Sequence, residues 1–216
     1  MKKNHLVILA AASLAVAFVL ASYVYTAQRE SEIAAVAQAS DSPLERDYSI
    51  RQGPPDARVV LVEFFDPACE TCRVFSAHVK TLLASHPDKV RLVLRYAPFH
   101  KGADMMVLIL EAARKQDRFW EVLDVMYETQ PQWASHHHPQ PDLIWQFLPA
   151  AGVDVAKIRR DMNDPDVRGI LNQDLADAKA LGVQRTPQFF VNGKPLLNFG
   201  FRQLKSLLDA EISAQY

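Results

Sequence analysis

The sequence predicts an α/β domain with a helical insertion, preceded by an N-terminal membrane anchor or signal peptide. Three observations support this class. The chain starts with a long apolar run, two shorter apolar runs then flank a stretch of helical spacing, and a long helical segment separates them from two further predicted strands. With 216 residues, the chain can form one medium-sized domain with a hydrophobic core in addition to this N-terminal segment.

The N-terminal apolar run covers residues 6–25 and follows two lysines. Twenty helical residues span about 30 Å, which is the thickness of a bilayer core. Tyr23 and Tyr25 suit the interface of an uncleaved anchor, whereas Val19-Leu20-Ala21 suits the cleavage site of a signal peptide. We therefore expect residues 1–26 to be one or the other. In both cases Lys2 and Lys3 stay in the cytoplasm and everything after Tyr25 is exported.

Residues 27–50 are mostly small and polar, which predicts a linker that lifts the domain off the membrane. Within them, the alanine-rich stretch from Ile33 to Ala37 is also compatible with a short oligomerisation helix, although one apolar stripe is not a heptad series. Gly53-Pro54-Pro55-Asp56 is a strong turn signal before the folded domain, which we expect to cover residues 51–216.

Two short apolar runs predict the first strands of the domain. Val59 to Phe65 is rich in β-branched and aromatic residues, as is typical of a central strand that is buried on both faces. From Cys69 to about Ser85 the apolar residues recur at helical spacing, and Val90 to Tyr96 forms the second run. A strand, a helix and a strand in this order predict a βαβ unit with a parallel strand pair.

The helical insertion is expected at about residues 103–181, with a proline-rich loop after its second helix. The predicted helices are Met105–Lys115, Phe119–Thr129, Leu143–Ala150, Val155–Met162 and Val167–Leu181.

Beyond the insertion, the pattern predicts two more strands and a last helix. Gln188 to Val191 is the third strand, and Asn192-Gly193 is a strong type I′ hairpin signal. The fourth strand is expected near Leu196-Leu197, and the last helix from Phe201 to about Ser213.

Charge gives no reason to expect a nucleic-acid partner. The formal net charge is −1, and the lysines and arginines are scattered rather than clustered. Without a basic excess, the chain cannot neutralise a row of phosphates.

The chain contains two cysteines, Cys69 and Cys72, with only two residues between them. A disulfide that closes so short a loop removes little entropy from the unfolded chain, so the pair is poorly explained as a structural bridge. A structural zinc site normally needs four soft ligands, and the chain has no second cysteine pair. At the first turn of a helix, unpaired N–H groups and the helix dipole favour a thiolate. These considerations predict Cys69 as the more exposed nucleophile and Cys72 as the resolving thiol, with no cofactor or metal required.

The strand–Cys-x-x-Cys–helix element, the long helical insertion and Thr186-Pro187 before the third strand resemble the thioredoxin superfamily, and in particular its DsbA-like branch. The resemblance covers about residues 50–216. It implies a thioredoxin-like fold, thiol:disulfide oxidoreductase activity and a periplasmic location, with anchoring to the inner membrane by residues 6–25 as one option. It also implies a cis-proline loop at Thr186-Pro187 that packs beside the cysteines and contacts substrate.

The same resemblance implies cysteine-containing protein substrates and a membrane redox partner of the DsbB or DsbD type. Oxidation and reduction use the same motif, so both directions stay open.

Glu63 lies inside the predicted central strand, six residues before Cys69, where DsbA-like proteins have a buried acid. A carboxylate in a buried strand is costly unless it has a task. We expect Glu63 to relay a proton to or from Cys72. The structural alternatives are that it faces a sheet edge or pairs with a lysine.

A rival interpretation concerns metal. His136-His137-His138 stands in the proline-rich loop, and imidazole suits copper and zinc. The alternative function is therefore a copper-handling envelope protein that uses Cys69, Cys72 and these histidines. Adjacent histidines rarely point at one ion without other ligands, so a solvated loop is the simpler interpretation.

Overall fold

One five-stranded mixed sheet forms the centre of the folded domain in the computed structural model, which describes residues 2–39, 41–135 and 137–216. The strands are β1 (Ile50–Gln52), β2 (Val59–Phe65), β3 (Val90–Tyr96), β4 (Gln188–Val191) and β5 (Lys194–Pro195). Their order across the sheet is β1-β3-β2-β4-β5. β2 and β3 run parallel, as the predicted βαβ unit requires, and the other neighbours are antiparallel.

Seven α-helices surround the sheet or precede it in the described part of the chain. They are α1 (Lys2–Ala37), α2 (Glu70–Ser85), α3 (Ala103–Arg114), α4 (Phe119–Trp133), α5 (Val155–Asp161), α6 (Pro165–Ala180) and α7 (Phe201–Gln215). The helix predicted at Leu143–Ala150 is not an α-helix. Two short 3₁₀ segments, Pro141–Gln146 and Leu148–Ala151, take its place. Pro149 lacks the N–H that a continuous α-helix would need, and its ring disfavours helical backbone in the residue before it.

β2 is buried on both faces, as predicted. Leu61 and Phe65 belong to the larger apolar cluster, which contains residues of α2, α3, α4 and α7. Val62 and Phe64 belong to a second cluster on the opposite face of the sheet. Because strand side chains alternate between faces, Glu63 points to the same side as Leu61 and Phe65, towards α2.

The hairpin between β4 and β5 confirms the predicted turn but shifts the fourth strand. Asn192 and Gly193 both have positive φ, 47° and 80°, as a type I′ turn requires. This two-residue turn places Lys194 directly opposite Val191, so β5 begins at Lys194 and not near Leu196-Leu197.

The N-terminal segment differs from the predicted linker. α1 continues past the apolar run to Ala37 and is the one described helix long and apolar enough to cross a membrane. Beyond it, residues 41–49 lie against the domain instead of forming a free tether. Ala37 and Leu44 are buried in the second apolar cluster, together with Phe64 of the central strand.

A buried ion network fixes this segment. Arg95 of β3 is fully buried and donates to Asp174 at 2.7 Å and to Asp177 at 2.6 Å, both on α6. From the N-terminal side, Arg46 donates to both oxygens of Asp177, and the Tyr48 hydroxyl donates to Asp174 at 2.7 Å. Residues 46–48 are thus tied to the sheet and to the helical insertion at once.

Candidate active site

The two cysteines lie where β2 ends and α2 begins. Cys69 is the N-cap residue of α2, with extended backbone angles of φ −78° and ψ 120°, and Cys72 lies one turn inside the helix. Both are free thiols. Cys69 is 5% exposed, whereas Cys72 is 0% exposed, so a partner can reach Cys69 first. The structure therefore gives the two thiols the unequal accessibility that the motif predicts.

The loop before β4 faces Cys69. The Thr186–Pro187 peptide bond is cis, as the resemblance implies. The Cys69 sulfur lies 3.4 Å from the Thr186 carbonyl oxygen, to which it donates a hydrogen bond when it is protonated. The chain thus brings together two predicted site segments that are separated by more than a hundred residues.

The pKa values of the two thiols are shifted in opposite directions. A hydrogen bond from Cys72 is the largest influence that lowers the pKa of Cys69, to about 5. The Thr186 side chain and the backbone of Cys72 and Thr71 contribute in the same direction, against burial. Burial raises the pKa of the Cys72 thiol well above its ordinary value, and the hydrogen bond that it gives to Cys69 raises it further. At neutral pH, Cys69 is therefore a thiolate and Cys72 a thiol.

Glu63 is buried beneath the cysteine pair and is 4% exposed. Burial, and then the charge on Cys69, raise the pKa of Glu63 to about 8. β2 is flanked by β3 and β4, so Glu63 does not face a sheet edge. No cation pairs with it in the described part of the chain. Neither of the structural alternatives for Glu63 applies.

A cavity of about 20 Å³ lies beside Glu63. Tyr127 of α4 and Lys80 of α2 also line it, and Lys80 forms a half-exposed ion pair with Asp124 at 2.6 Å. A cavity of this size is sufficient for one water molecule.

Asp66 holds the turn between β2 and Cys69. Its side chain is fully buried, and one oxygen accepts from the Ala68 amide at 2.8 Å. The other oxygen accepts from the amides of Phe99 and His100 and lies 2.8 Å from His100 Nδ1. The Asp66 amide donates to the Cys72 sulfur at 3.4 Å. Asp66 therefore joins the active-site turn to the loop after β3.

Gln130 of α4 is a site residue that the sequence pattern does not identify. It is 1% exposed, and its side-chain amide donates to the carbonyl oxygens of Pro67 at 2.8 Å and Cys69 at 3.1 Å. Its own carbonyl oxygen accepts from Arg73 Nε at 3.0 Å. Helical periodicity marks the face of α4 that is buried, but not the loop that this face meets.

The structure does not assemble a metal site from the residues it describes. In residues 2–39, 41–135 and 137–216, no group of three or more histidine, cysteine, aspartate or glutamate residues could hold a metal ion. His136 lies outside the described residues, and His137 and His138 are exposed. The copper-handling alternative stays a prediction.

Comparison with known proteins gives consistent results for residues 45–210, which match the family model described as thioredoxin. The chain is 31% identical over 176 residues to the probable disulfide bond formation protein D of Bacillus cereus, covering 76% of this chain and 80% of that protein. A solved thioredoxin-like oxidoreductase from Silicibacter pomeroyi DSS-3 superposes with a TM-score of 0.69 at 27% identity, covering 82% of this chain and 99% of that one. The Na(+)/H(+) antiporter NhaA of Herminiimonas arsenicoxydans is 30% identical over 171 residues, but this chain spans only 27% of its length.

Proposed function

We propose that this chain, which belongs to the thioredoxin family and to its DsbA-like thiol–disulfide oxidoreductases, works after export. It exchanges disulfides with cysteine-containing proteins. The exchange passes through a mixed disulfide at Cys69, which Cys72 resolves. The observation that carries the proposal is the inequality of the two thiols. A thiolate that is slightly exposed at the start of α2 lies next to a fully buried thiol whose pKa is raised. Thiol–disulfide exchange needs this combination of an attacking and a resolving sulfur.

In the reducing direction, the Cys69 thiolate attacks one sulfur of a substrate disulfide, and the other substrate sulfur leaves as a thiolate. Cys72 then loses its proton and attacks the Cys69 sulfur. This second step forms the Cys69–Cys72 disulfide and releases the remaining substrate sulfur. The substrate gains two electrons and the dithiol of the protein loses two. In the oxidising direction the same steps run in reverse.

Glu63 supplies the proton relay in this proposal. Cys72 must be deprotonated before it can attack, and burial opposes its ionisation. A carboxyl group with a pKa of about 8 exchanges protons readily near neutral pH, which suits a general acid or base. The water-sized cavity beside Glu63 provides the exchange of that proton with solvent.

The Thr186-Pro187 loop would hold the substrate. Because the loop lies against Cys69, a substrate segment that binds to it in extended form would lie next to the reactive sulfur.

The apolar α1 supports export and fits either an inner-membrane anchor or a signal peptide. The redox partner would be a membrane protein of the DsbB or DsbD type.

The test is a trapping experiment with Cys72→Ala. Without Cys72, mixed disulfides at Cys69 cannot be resolved within the molecule. We expect covalent adducts with cysteine-containing envelope proteins on non-reducing gels, and we expect dithiothreitol to release them. The matched control is Cys69→Ala, which leaves only the buried thiol and should form few adducts.

Export is tested with the same trapping variant. A thiol reagent that does not cross the inner membrane should label Cys69 in whole cells whose outer membrane has been permeabilised. Equal adducts in both cysteine variants would contradict the assigned roles, and protection of Cys69 until the cells are lysed would contradict export.

A further inference from the structure

Gln130, a buried side chain of the helical insertion, is hydrogen-bonded to the active-site turn. Its amide nitrogen contacts the carbonyl oxygens of Pro67 and Cys69, which lie on either side of Ala68. Its oxygen accepts from Arg73 in the first turn of α2. One residue of α4 therefore contacts the chain before, at and after the N-cap of the catalytic helix.

The orientation of the Gln130 amide follows from the chemistry of its partners. Carbonyl oxygens only accept hydrogen bonds and a guanidinium only donates them, so the nitrogen must face Pro67 and Cys69 and the oxygen must face Arg73. Both N–H groups and one lone pair are used. A buried amide is costly when its partners are missing, so these three bonds resist any shift of α4 relative to the turn.

The contact with the Cys69 carbonyl oxygen matters because Cys69 is the N-cap of α2 and its sulfur depends on hydrogen bonds from the first turn of that helix. Those bonds require a fixed backbone position at Cys69. Its carbonyl oxygen accepts the amide of Arg73 at 3.1 Å, the first bond of the helix, and accepts Gln130 as well. The direction of the Cys69 side chain relative to Cys72 and Thr186 depends on this backbone position.

We propose that Gln130 is a positioning residue for thiol–disulfide exchange, through which the helical insertion holds Cys69 in the geometry that stabilises its thiolate. The reduced protein needs this alignment more than the oxidised one does. In the disulfide, a covalent bond to Cys72 holds the Cys69 sulfur. In the dithiol, only hydrogen bonds hold it. Loss of the three bonds should therefore disfavour the reduced state and make the protein a weaker oxidant.

The inference rests on the proposed role of Cys69 as nucleophile, and its test measures both. Gln130→Met keeps the length of the side chain, carries no charge and removes all three bonds. The matched control is Gln132→Met, an exposed position on the same helix. Each protein is equilibrated with glutathione buffers, and the rate of Cys69 alkylation is followed against pH.

We expect the glutathione equilibrium constant of Gln130→Met to move about threefold to tenfold towards the oxidised form, the effect of roughly one net hydrogen bond. The alkylation profile should move to higher pH, and Gln132→Met should match the wild type in both readouts. A Gln130→Met protein with a lower melting temperature but an unchanged constant and profile would overturn the inference, because Gln130 would then serve stability alone.

Two further results keep the test decisive. If Gln130→Met does not fold, Gln130→Asn, which retains the amide but is one methylene shorter, should shift the constant in the same direction, and an unchanged constant would overturn the inference. If wild-type Cys69 itself shows the alkylation profile of an ordinary thiol, the proposed function fails first.

Discussion

Cys69 and Cys72 have identical side chains, and their chemistry differs only because of their positions. Cys69 lies at the helix N-terminus, where amides and the Cys72 thiol stabilise negative charge. Cys72 lies one turn deeper, where burial opposes it. Glu63, on strand β2, is also buried, and burial raises its pKa as well. The three groups therefore share one desolvated region in which a single negative charge is favoured at Cys69.

This burial predicts a pH-dependent cost of Glu63 to folding. The ordinary pKa of the group is 4.5 and its pKa in the folded protein is about 8. Between these values the unfolded chain releases the Glu63 proton and the folded chain keeps it. Glu63 therefore destabilises the fold increasingly as the pH rises through this window, by at most about 1.4 kcal/mol per pH unit.

The variant Glu63→Gln removes this cost, so the reduced variant should gain stability relative to the reduced wild type as the pH is raised from 5 to 8. Urea unfolding at several pH values measures the difference. Glu128→Gln, at an exposed glutamate on α4, is the matched control for the loss of one carboxyl group, and its effect is subtracted at each pH. A corrected difference for Glu63→Gln that stays constant with pH would show that Glu63 has the pKa of an ordinary carboxyl group.

At the scale of single elements, the strongest constraints are the places where the backbone must turn. The β4–β5 hairpin has two consecutive residues with positive φ, and the side chain of the first, Asn192, accepts the Val60 amide of β2 at 2.8 Å. The second, Gly193, lies against the end of α1. A Cβ atom there would be 3.0 Å from the Gln38 side chain and 3.4 Å from the Ala37 carbonyl oxygen.

Gly193→Ala should therefore destabilise the protein by about 1 kcal/mol or more, through both the positive φ and the close contact. Gly169→Ala is the matched control. Gly169 lies inside α6 with open space where the added methyl group would lie, so alanine should stabilise the helix by up to about 1 kcal/mol. Urea unfolding of the two variants should give changes of opposite sign, and equal signs would contradict this account of the hairpin.

Elements whose signal is local were predictable from the sequence. β2, β3 and α2 each carry their own apolar pattern, and the turn at Asn192-Gly193 follows from two residues. β1 is different. It has three residues, only one of them apolar, and it exists through its pairing with β3, where Ile50 lies opposite Leu94. A partner so far along the chain leaves no periodicity in the short strand itself.

The same distinction applies to the site. The cysteines, Glu63 and the Thr186-Pro187 loop are identified by spacing or by resemblance, and the structure brings Cys69 against Thr186. Gln130 could not be identified this way. Its role depends on which turn of α4 passes the carbonyl oxygens of Pro67 and Cys69, and that is set by packing between the insertion and the sheet.

At the scale of the whole molecule, the segment between α1 and β1 determines how firmly α1 is attached to the domain. Two carboxylates of α6, Asp174 and Asp177, are buried next to Arg95. One arginine shared between two acids leaves a net negative charge in the interior, and the Arg46 guanidinium compensates it from the N-terminal segment. Unlike a flexible tether, such a connection restricts how the domain can turn relative to α1.

Removal of residues 1–49 should therefore weaken the domain, whereas removal of residues 1–32 should not. The shorter truncation takes away the apolar helix and leaves the ion network intact. The longer one also removes Arg46, the Tyr48 hydroxyl and the Pro43 carbonyl that accepts from Arg95 at 2.5 Å. The Arg46 side chain is 32% exposed and the Arg95 pairs remain, so the expected difference is that of lost hydrogen bonds to buried charged groups, about 1–3 kcal/mol in urea unfolding. Both truncated proteins should keep the same glutathione equilibrium constant, because no removed residue that the structure describes contacts the cysteines. Equal unfolding midpoints would show that residues 33–49 are a linker after all, and a changed constant in the shorter truncation would show that α1 acts on the active site.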